Sequence, residues 1–495
     1  MSVLWDALNN IDNFAISLLL LSLGIALFYE MINGFHDTAN AVAMIIYTNS
    51  MKPGYSVIMA GIMNFIGVIL GGIGVAYVIV HLLPLDIMVS SDQNATLVMI
   101  FSLLLSALIW NFGTWYFGLP VSSSHSLIGS LVGVSVAFGM MHGFTFSQSL
   151  NWKVVYGILT ALAVSPLLGF GLAFLIMKLS RKLVKNPKFF KTPSTEGKKK
   201  PNFWMRTGII ATGAGVSFAH GSNDGQKGIG LIMIILIGIL PTYYALNMEA
   251  HQYKIMQTRD SAANLAKFYA DNNDILTKLL NEKQLISALK IQNSITECNV
   301  NQVYNTTLEI STKLDGLKSY SELTENDRWK IHTAVLCSDN FFGQVERAYK
   351  SIDKDKSDYI ADQRKQMITS TEYVPYWVII AVALMIGIGT MIGYKRVVHT
   401  IGEKIGSKPI NHMQGAVAQA MAMVTILLAN FAHAPVSTTH IVSSAVAGTM
   451  VAEPDGGVQK KTFNTILLAW LFTLPVTAIM GAAIYIGLSY IIKIN

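Results

Sequence analysis

Two aspartates stand among glycines inside otherwise apolar stretches: Asp37 in GFHDTANA (Gly34 to Ala41) and Asp224 in HGSNDGQKG (His220 to Gly228). A charged side chain at the centre of a bilayer costs on the order of 3 kcal/mol on insertion scales, so such residues generally face a cavity and handle ions. Asp37, Asp224 and Lys227 are therefore candidates for cation coupling, and the two carboxylates are candidates to hold a metal ion. A purely structural ion pair is the competing reading, because Asp224 and Lys227 are spaced i to i+3 on a helix. It leaves the matching positions of the two acids unexplained. Glu30, one turn before the first cluster, reads either as a structural partner or as a proton carrier. His36, His125, His220 and His440 each read best, taken singly, as satisfied core histidines. His125 and His440 gain weight as a repeated pair, and a proton relay would be drawn from these four and Glu30.

The second constellation is a pair of hydroxyl runs. GLPVSSSHSLIGSLVG at Gly118 to Gly133 returns as HAPVSTTHIVSSAVAG at His433 to Gly448, matching Pro120 with Pro435, Val121 with Val436, three hydroxyl residues with three, and His125 with His440. Proline followed by hydroxyl residues suits a helix start, where Ser or Thr caps the first turn and several backbone N–H groups lack partners. Such an end favours oxyanions through its donors and the helix dipole. Ser122, Ser123, Ser124, Ser437, Thr438 and Thr439 are thus the expected ligands of a tetrahedral anion, with Gly34 and Gly221 letting backbone approach it closely. An anion beside two carboxylates is repelled by about 4 kcal/mol per pair at 4 Å and an effective dielectric of about 20. A proton on an aspartate, a metal cation or the fixed charge of Lys227 would each relieve this, so cation or proton symport follows from the composition of the site.

Membrane helices must position these residues. Of the 495 residues, 52% are hydrophobic and 13% charged, about half the charge of a soluble domain. The formal charge of +7 is no signature of nucleic-acid binding, because the bases flank apolar spans. Two cysteines exclude a disulfide scaffold and a multi-cysteine metal site. The N-terminus has no basic residues, so the first apolar span is expected to stay rather than be cleaved as a signal peptide. Stretches able to cross a hydrocarbon core of about 30 Å run approximately 14–33, 55–80, 95–117, 122–141, 152–177, 375–394, 413–432, 438–452 (short) and 463–492, with a region at 207–241 interrupted by HGSND. Residues 246–374 differ, with 18 acids and 16 bases in 129 residues and apolar positions at helical spacing.

Asp37 precedes His125 by 88 residues and Asp224 precedes His440 by 216, and the excess of 128 is almost the size of that insert. The expected organisation is a first membrane repeat (1–177), a basic cytoplasmic linker (178–206), the first part of a second repeat (207–245), a soluble, extracytoplasmic helical insert (246–374) and the remainder of the second repeat (375–495). Ten Lys and Arg from Lys178 to Arg206, and Lys395, Arg396, Lys404 and Lys408, mark two loops as cytoplasmic. Five crossings per repeat, about ten in all, then require the repeats to be inverted, with helices broken at GFHD and HGSND and substrate near the midplane. The fold class is an all-α membrane protein of two inverted repeats with a small helical insert. An external insert makes Cys298 and Cys337 candidates for a disulfide.

The paired GFHDTANA and HGSNDGQKG motifs, the paired PVSSSH and PVSTTH motifs and the neighbouring TWYFGLP closely resemble the inorganic phosphate transporter (PiT) family, above all its bacterial low-affinity members. The resemblance spans essentially the whole membrane portion. It implies no enzyme but a multi-pass protein of the bacterial inner membrane, importing inorganic phosphate as a proton-coupled metal–phosphate complex through an inverted-repeat fold of about 12 helical segments. It implies no resident cofactor, and it directs attention to Asp37, Asn40, Asp224 and the hydroxyl runs. His36 departs from the wider GANDVANA pattern, where Asn is usual, as do Gln226 and Lys227 from Ala and Asn in the second copy. A lysine ammonium can replace a bound sodium ion, which favours protons over sodium. Transport of arsenate or sulfate, and a receptor acting through the external insert, are the alternatives, and a homo-oligomer is compatible with the sequence. An intramembrane Ser–His hydrolase is disfavoured because neighbouring residues on a helix point about 100° apart.

Overall fold

In the computed structural model the described residues are 2–10, 13–83, 93–119, 121–192, 200–279, 300–392, 398, 405–454 and 456–492. Their regular structure is helical, apart from one isolated bridge between Gly406 and Val458. In chain order the helices are α1 (Ser2–Asn10), α2 (Asn13–Tyr47), α3 (Pro53–Leu70), α4 (Gly74–Val80), α5 (Gln93–Tyr116), α6 (Ser123–Met141), α7 (Trp152–Leu183), α8 (Phe203–Ile239) and α9 (Pro241–Tyr244). They continue with α10 (Gln252–Leu279), α11 (Val300–Lys313), α12 (Glu325–Tyr349), α13 (Lys354–Ile368), α14 (Tyr376–Thr390), α15 (His412–Phe431), α16 (Thr438–Ala452) and α17 (Lys460–Ile492). Seven of them, α2, α3, α5, α6, α7, α15 and α17, are long and apolar enough to cross a bilayer, and α14 is apolar but shorter.

The helix starts follow local chemistry. Pro53 opens α3, where a missing N–H costs nothing. Asn411 and Gln414 form a reciprocal capping box on α15, with bonds of 2.8 and 2.9 Å. The hydroxyl runs begin helices as expected, since Ser122 caps α6 and Ser437 caps α16.

The expected breaks at GFHD and HGSND are absent. Asp37 and Asp224 sit inside unbroken helices, α2 of 35 residues and α8 of 37. Glycine costs a helix about 1 kcal/mol relative to alanine. Opening the chain inside a membrane would strand several polar backbone groups at several kcal/mol each, so the helix survives its glycines. The span expected at 55–80 is instead two helices, α3 and α4, parted where Gly72 takes a φ of +80°.

The chain divides into two compact units. One comprises Leu20–Leu83, Leu97–Met233 and Tyr376–Asn495. Within it α6 packs along α17, α7 along α16, and α3 along α14. Glycines set the closest approaches. A Cβ on Gly34 would run into the backbone of Ile386 and Thr390 on α14, and a Cβ on Gly389 into the backbone of Met31 on α2. Gly67 of α3 and Gly221 of α8 make the same reciprocal contact with Phe218 and Asn64. Small residues let backbones pack closely where lipid supplies no hydrophobic drive between helices. Gly34 and Gly221, expected to admit a ligand, are therefore occupied by neighbouring helices, and Gly225 and Gly228 meet Val68 and Glu30.

The other unit comprises Met1–Leu19, Pro84–Thr96 and Ile234–Pro375. Helices α10 to α13 enclose a core that includes Ile255, Leu265, Ile310, Val335, Phe342 and Ile360. Arg364 ties α13 to α12 by contacts with Asp339 at 3.0 and 3.1 Å and with Glu346. Pro120, Cys298, Lys395, Arg396 and Lys404 lie outside the described residues, and so does the expected pairing of Cys298 with Cys337.

Gly34→Ala and Gly389→Ala are expected to cut the yield of monodisperse protein several-fold in detergent size-exclusion chromatography. Gly24→Ala, on the same helix as Gly34 but with nothing within 4 Å of its Cβ position, is expected to leave it unchanged. Equal yields for the three variants would contradict this account of the packing.

Candidate functional site

Helix α2 presents Glu30, Asn33, Asp37 and Asn40 at spacings of three and four, one polar stripe on an apolar rod. Helix α8 presents His220, Asp224 and Lys227 at spacings of four and three, with Asn223 beside Asp224. All eight are buried. The starts of α6 and α16 abut near these stripes: Ser124 Oγ donates to Val436 O at 3.0 Å, and the rings of His125 and His440 lie 4.5 Å apart.

Asp37 gathers donors from both helix starts. Its Oδ1 accepts from Thr439 Oγ1 at 2.7 Å and from Asn40 Nδ2 at 3.2 Å. Its Oδ2 accepts from Thr438 Oγ1 at 3.3 Å and Ser123 Oγ at 3.4 Å, and faces His220 Nε2 at 3.3 Å. His36 Nδ1 stands 3.4 Å from Oδ1. The hydroxyls expected to face an anion thus hold a carboxylate of the protein itself.

Asp224 is held differently. Lys227 Nζ donates to Asp224 Oδ1 at 2.6 Å, to Ser124 Oγ at 2.5 Å and to Val436 O at 2.5 Å, which uses all three of its protons. The ion pair considered at i to i+3 is present, and its ammonium also pins the two helix starts together. A correspondence between the copies appears here. Asn40, three residues after Asp37, donates to Asp37 and to Thr439 at 3.1 Å. Lys227, three residues after Asp224, donates to Asp224 and to Ser124. In each copy the residue at i+3 links its aspartate to the third hydroxyl of the other copy's run.

His220 lies between the two carboxylates, with Nε2 at 3.3 Å from Asp37 Oδ2 and 3.4 Å from Asp224 Oδ2. Its Nδ1 meets Asn64 Oδ1 at 3.0 Å, while Asn64 Nδ2 donates to Thr390 Oγ1 at 2.7 Å. Thr390 Oγ1 in turn donates to Ile386 O at 2.8 Å, which fixes the amide orientation and makes Nδ1 the bearer of a proton. Nε2 then faces two carboxylates favourably only when a proton or another cation lies between them. Asp37, His220 and Asp224 each offer one ligand atom, all within 4.8 Å of one another, a spacing a metal ion could bridge.

Other expected residues have different tasks. Ser122 and Ser437 accept the backbone N–H of His125 and His440 at 3.1 and 3.2 Å and cap their own helices. The rings of His125 and His440 meet at a tilt of 35°, and His440 stacks on Trp470 at 3.9 Å; among the described residues neither imidazole bonds a carboxylate. Asn64, Thr390 and Asn223, whose Oδ1 accepts from Val436 N at 3.3 Å, were not expected at the site. For Asn64 the available signal was a lone Asn in an apolar span, and for Asn223 its place beside Asp224.

Residues 33–481 match the model of the phosphate transporter family. The chain is 42% identical over 487 residues to the low-affinity inorganic phosphate transporter PitB of Escherichia coli (strain K12), covering 96% of this chain and 97% of that protein. It is 43% identical over 480 residues to PitA of the same strain, covering 94% and 96%. A solved structure described as the sodium-dependent phosphate transporter has a similar fold, with a TM-score of 0.53 at 19% identity over 96% of this chain and 100% of that one.

Removing one member of a buried ion pair costs about 3–5 kcal/mol, whereas neutral replacement of both is far milder. Lys227→Met and Asp224→Asn are each expected to lower the melting temperature in detergent markedly, and the double variant to recover most of the loss. A double variant less stable than either single one would contradict the pairing.

Proposed function

Since the chain belongs to the phosphate transporter family, we propose that it imports inorganic phosphate across a bacterial inner membrane by proton symport, the phosphate entering as a complex with a divalent metal. The observation that carries this reading is the set of hydroxyls on Asp37. Ser123, Thr438 and Thr439, from two helix starts, are the donors a tetrahedral oxyanion requires, and they are engaged by a carboxylate at 2.7 to 3.4 Å. Phosphate and ionised Asp37 compete for the same donors and repel each other. Positive charge beside Asp37 removes both obstacles, so the anion binds only in the company of a cation.

Lys227 supplies one fixed positive charge, already engaged by Asp224. A divalent metal travelling with phosphate would be received by Asp37, Asp224 and His220, whose ligand atoms converge. Metal and phosphate would then enter together, with the carboxylates on one side of the metal and the hydroxyls on the phosphate. The mirrored bonds of Asn40 and Lys227, and the exchange by which α6 packs on α17 and α16 on α7, support a reading of two related halves. We take the halves to be inverted in the membrane, with residues 246–374 as an extracytoplasmic insert. Asp37 lies ten residues, or about 15 Å, from the end of α2, which suits a site near the middle of a core about 30 Å thick.

In liposomes containing the purified chain, labelled phosphate is expected to accumulate when the outside is acidic and magnesium is present, and to ignore replacement of sodium by choline. Chelating the magnesium should suppress uptake. Asp37→Asn should reduce it at least ~10-fold, as expected for loss of charge-assisted bonds worth about 1.5–3 kcal/mol. Uptake that needs sodium and does not respond to the pH gradient would reject proton coupling; sulfate taken up in place of phosphate would reject the substrate.

A further inference from the structure

The cluster around Asp37 leaves a second buried acid unexplained. Glu30 is fully buried on α2, with 0% of its surface exposed. Among the described residues its Oε2 accepts one bond, from Asn33 Nδ2 at 3.3 Å, and its Oε1 has no hydrogen-bond partner. The charged and titratable groups that act on it are Asp224, Lys227 and His220 of α8, together with Tyr29 of its own helix. None neutralises it. The protons of Lys227 are committed to Asp224, Ser124 and Val436 O, His220 is turned to Asn64, Asp37 and Asp224, and Tyr29 donates to Ser123 O at 3.0 Å. The other described acids of this unit all have partners: Asp37 has its hydroxyls, Asp224 has Lys227, and Glu453 has Arg181 and Asn411.

An ionised carboxylate in that position would hold one amide contact and no counter-ion, whereas the neutral acid, even with one O–H lacking an acceptor, costs much less than a buried unpaired charge. We propose that Glu30 is the group that carries the transported proton, held as the neutral acid in this conformation. This deepens the phosphate-symport reading and rests on it. The surroundings explain how protonation would be coupled to movement. A Cβ at Gly228 would collide with the carboxyl carbon of Glu30, so the acid lies directly on the backbone of α8. Any displacement of α2 along α8 changes what the carboxyl touches, and ionised and neutral Glu30 prefer different relative positions of the two helices. Glu30 lies seven residues before Asp37 on the same face, about 10 Å along the axis with Asn33 between them. Proton and anion thus have separate seats on one rigid helix, and each is sensed by the other through the position of that helix.

The test compares wild type and Glu30→Gln, full-length in liposomes, in two assays with labelled inorganic phosphate. One is exchange with equal phosphate on both sides and no gradients; the other is accumulation driven by an acidic exterior. Glu30→Gln is expected to retain measurable exchange while its pH-driven accumulation falls at least ~10-fold, because a neutral amide permits movement of the loaded protein and releases no proton. Infrared difference spectra of the wild type across a pH titration should contain the carbonyl band of a protonated carboxyl group, and Glu30→Gln should lack it. Accumulation by Glu30→Gln equal to wild type, joint loss of exchange and accumulation in a monodisperse variant, or persistence of the infrared band would each overturn the assignment. Wild-type vesicles that exchange no phosphate would overturn the underlying symport reading, an outcome distinct from any confined to the variant.

Discussion

The architecture turns on one carboxylate, Asp37, which receives hydroxyls from the first turns of two different helices. A helix start buried away from water needs acceptors for its hydroxyls and N–H groups. Ser122 and Ser437 supply part of that need within their own turns, and Asp37 supplies the rest from outside. Conversely, an acid inside a bilayer needs donors, and few arrangements bring three hydroxyls, an amide and two imidazoles to one carboxylate. Each side of this contact solves the other's solvation problem. The glycine contacts that draw α2 onto α14 and α8 onto α3 set the closeness of the helices that carry the two aspartates.

The halves share a bonding scheme and differ in charge. Asn40 and Lys227 occupy equivalent places and make equivalent bonds, one neutral and one cationic. As a result Asp224 carries a fixed counter-ion, whereas Asp37 is held by hydroxyls, an amide and the imidazoles of His36 and His220. A site built with asparagine at both places would hold two uncompensated acids, and one with lysine at both would have no vacancy for a mobile cation. The mixed arrangement leaves Asp224 with a fixed cationic partner and Asp37 without one, which is compatible with the proposed entry of a cation together with the substrate.

Motifs that depend on local chemistry were legible in the sequence. The hydroxyl runs begin helices at Ser123 and Thr438, the acids are buried beside them, and the charged insert is helical. The misreadings share a cause. In water, GFHD and HGSND would read as places where a helix ends; in a bilayer the unsatisfied backbone outweighs the weakness of glycine, and the same residues serve as close-packing surfaces. The close backbone approach expected of Gly34 and Gly221 is made to neighbouring helices. Asn64 and Thr390 escaped notice because a single polar residue in an apolar span has no pattern, and its role emerges only when His220 lies opposite. His125 and His440 meet each other across the two runs, a contact that repetition suggested without indicating its partner.

On the proposed reading, the bonds at Asp37 also explain how a helical site could stay selective before substrate arrives. Hydroxyls left free in a low-dielectric interior would be costly, and a permanently open anion nest would invite any anion. With Asp37 bonded in place, the donors of Ser123, Thr438 and Thr439 are satisfied, and on the proposed reading an incoming oxyanion would displace a carboxylate that already fits. That exchange is close to neutral in hydrogen bonds and unfavourable in charge, so the cation decides whether it happens. An anion arriving alone meets repulsion, and a cation arriving alone leaves the hydroxyls on Asp37. Only the pair gains both, so on the proposed reading the joint entry of metal and phosphate would follow from the electrostatics of Asp37.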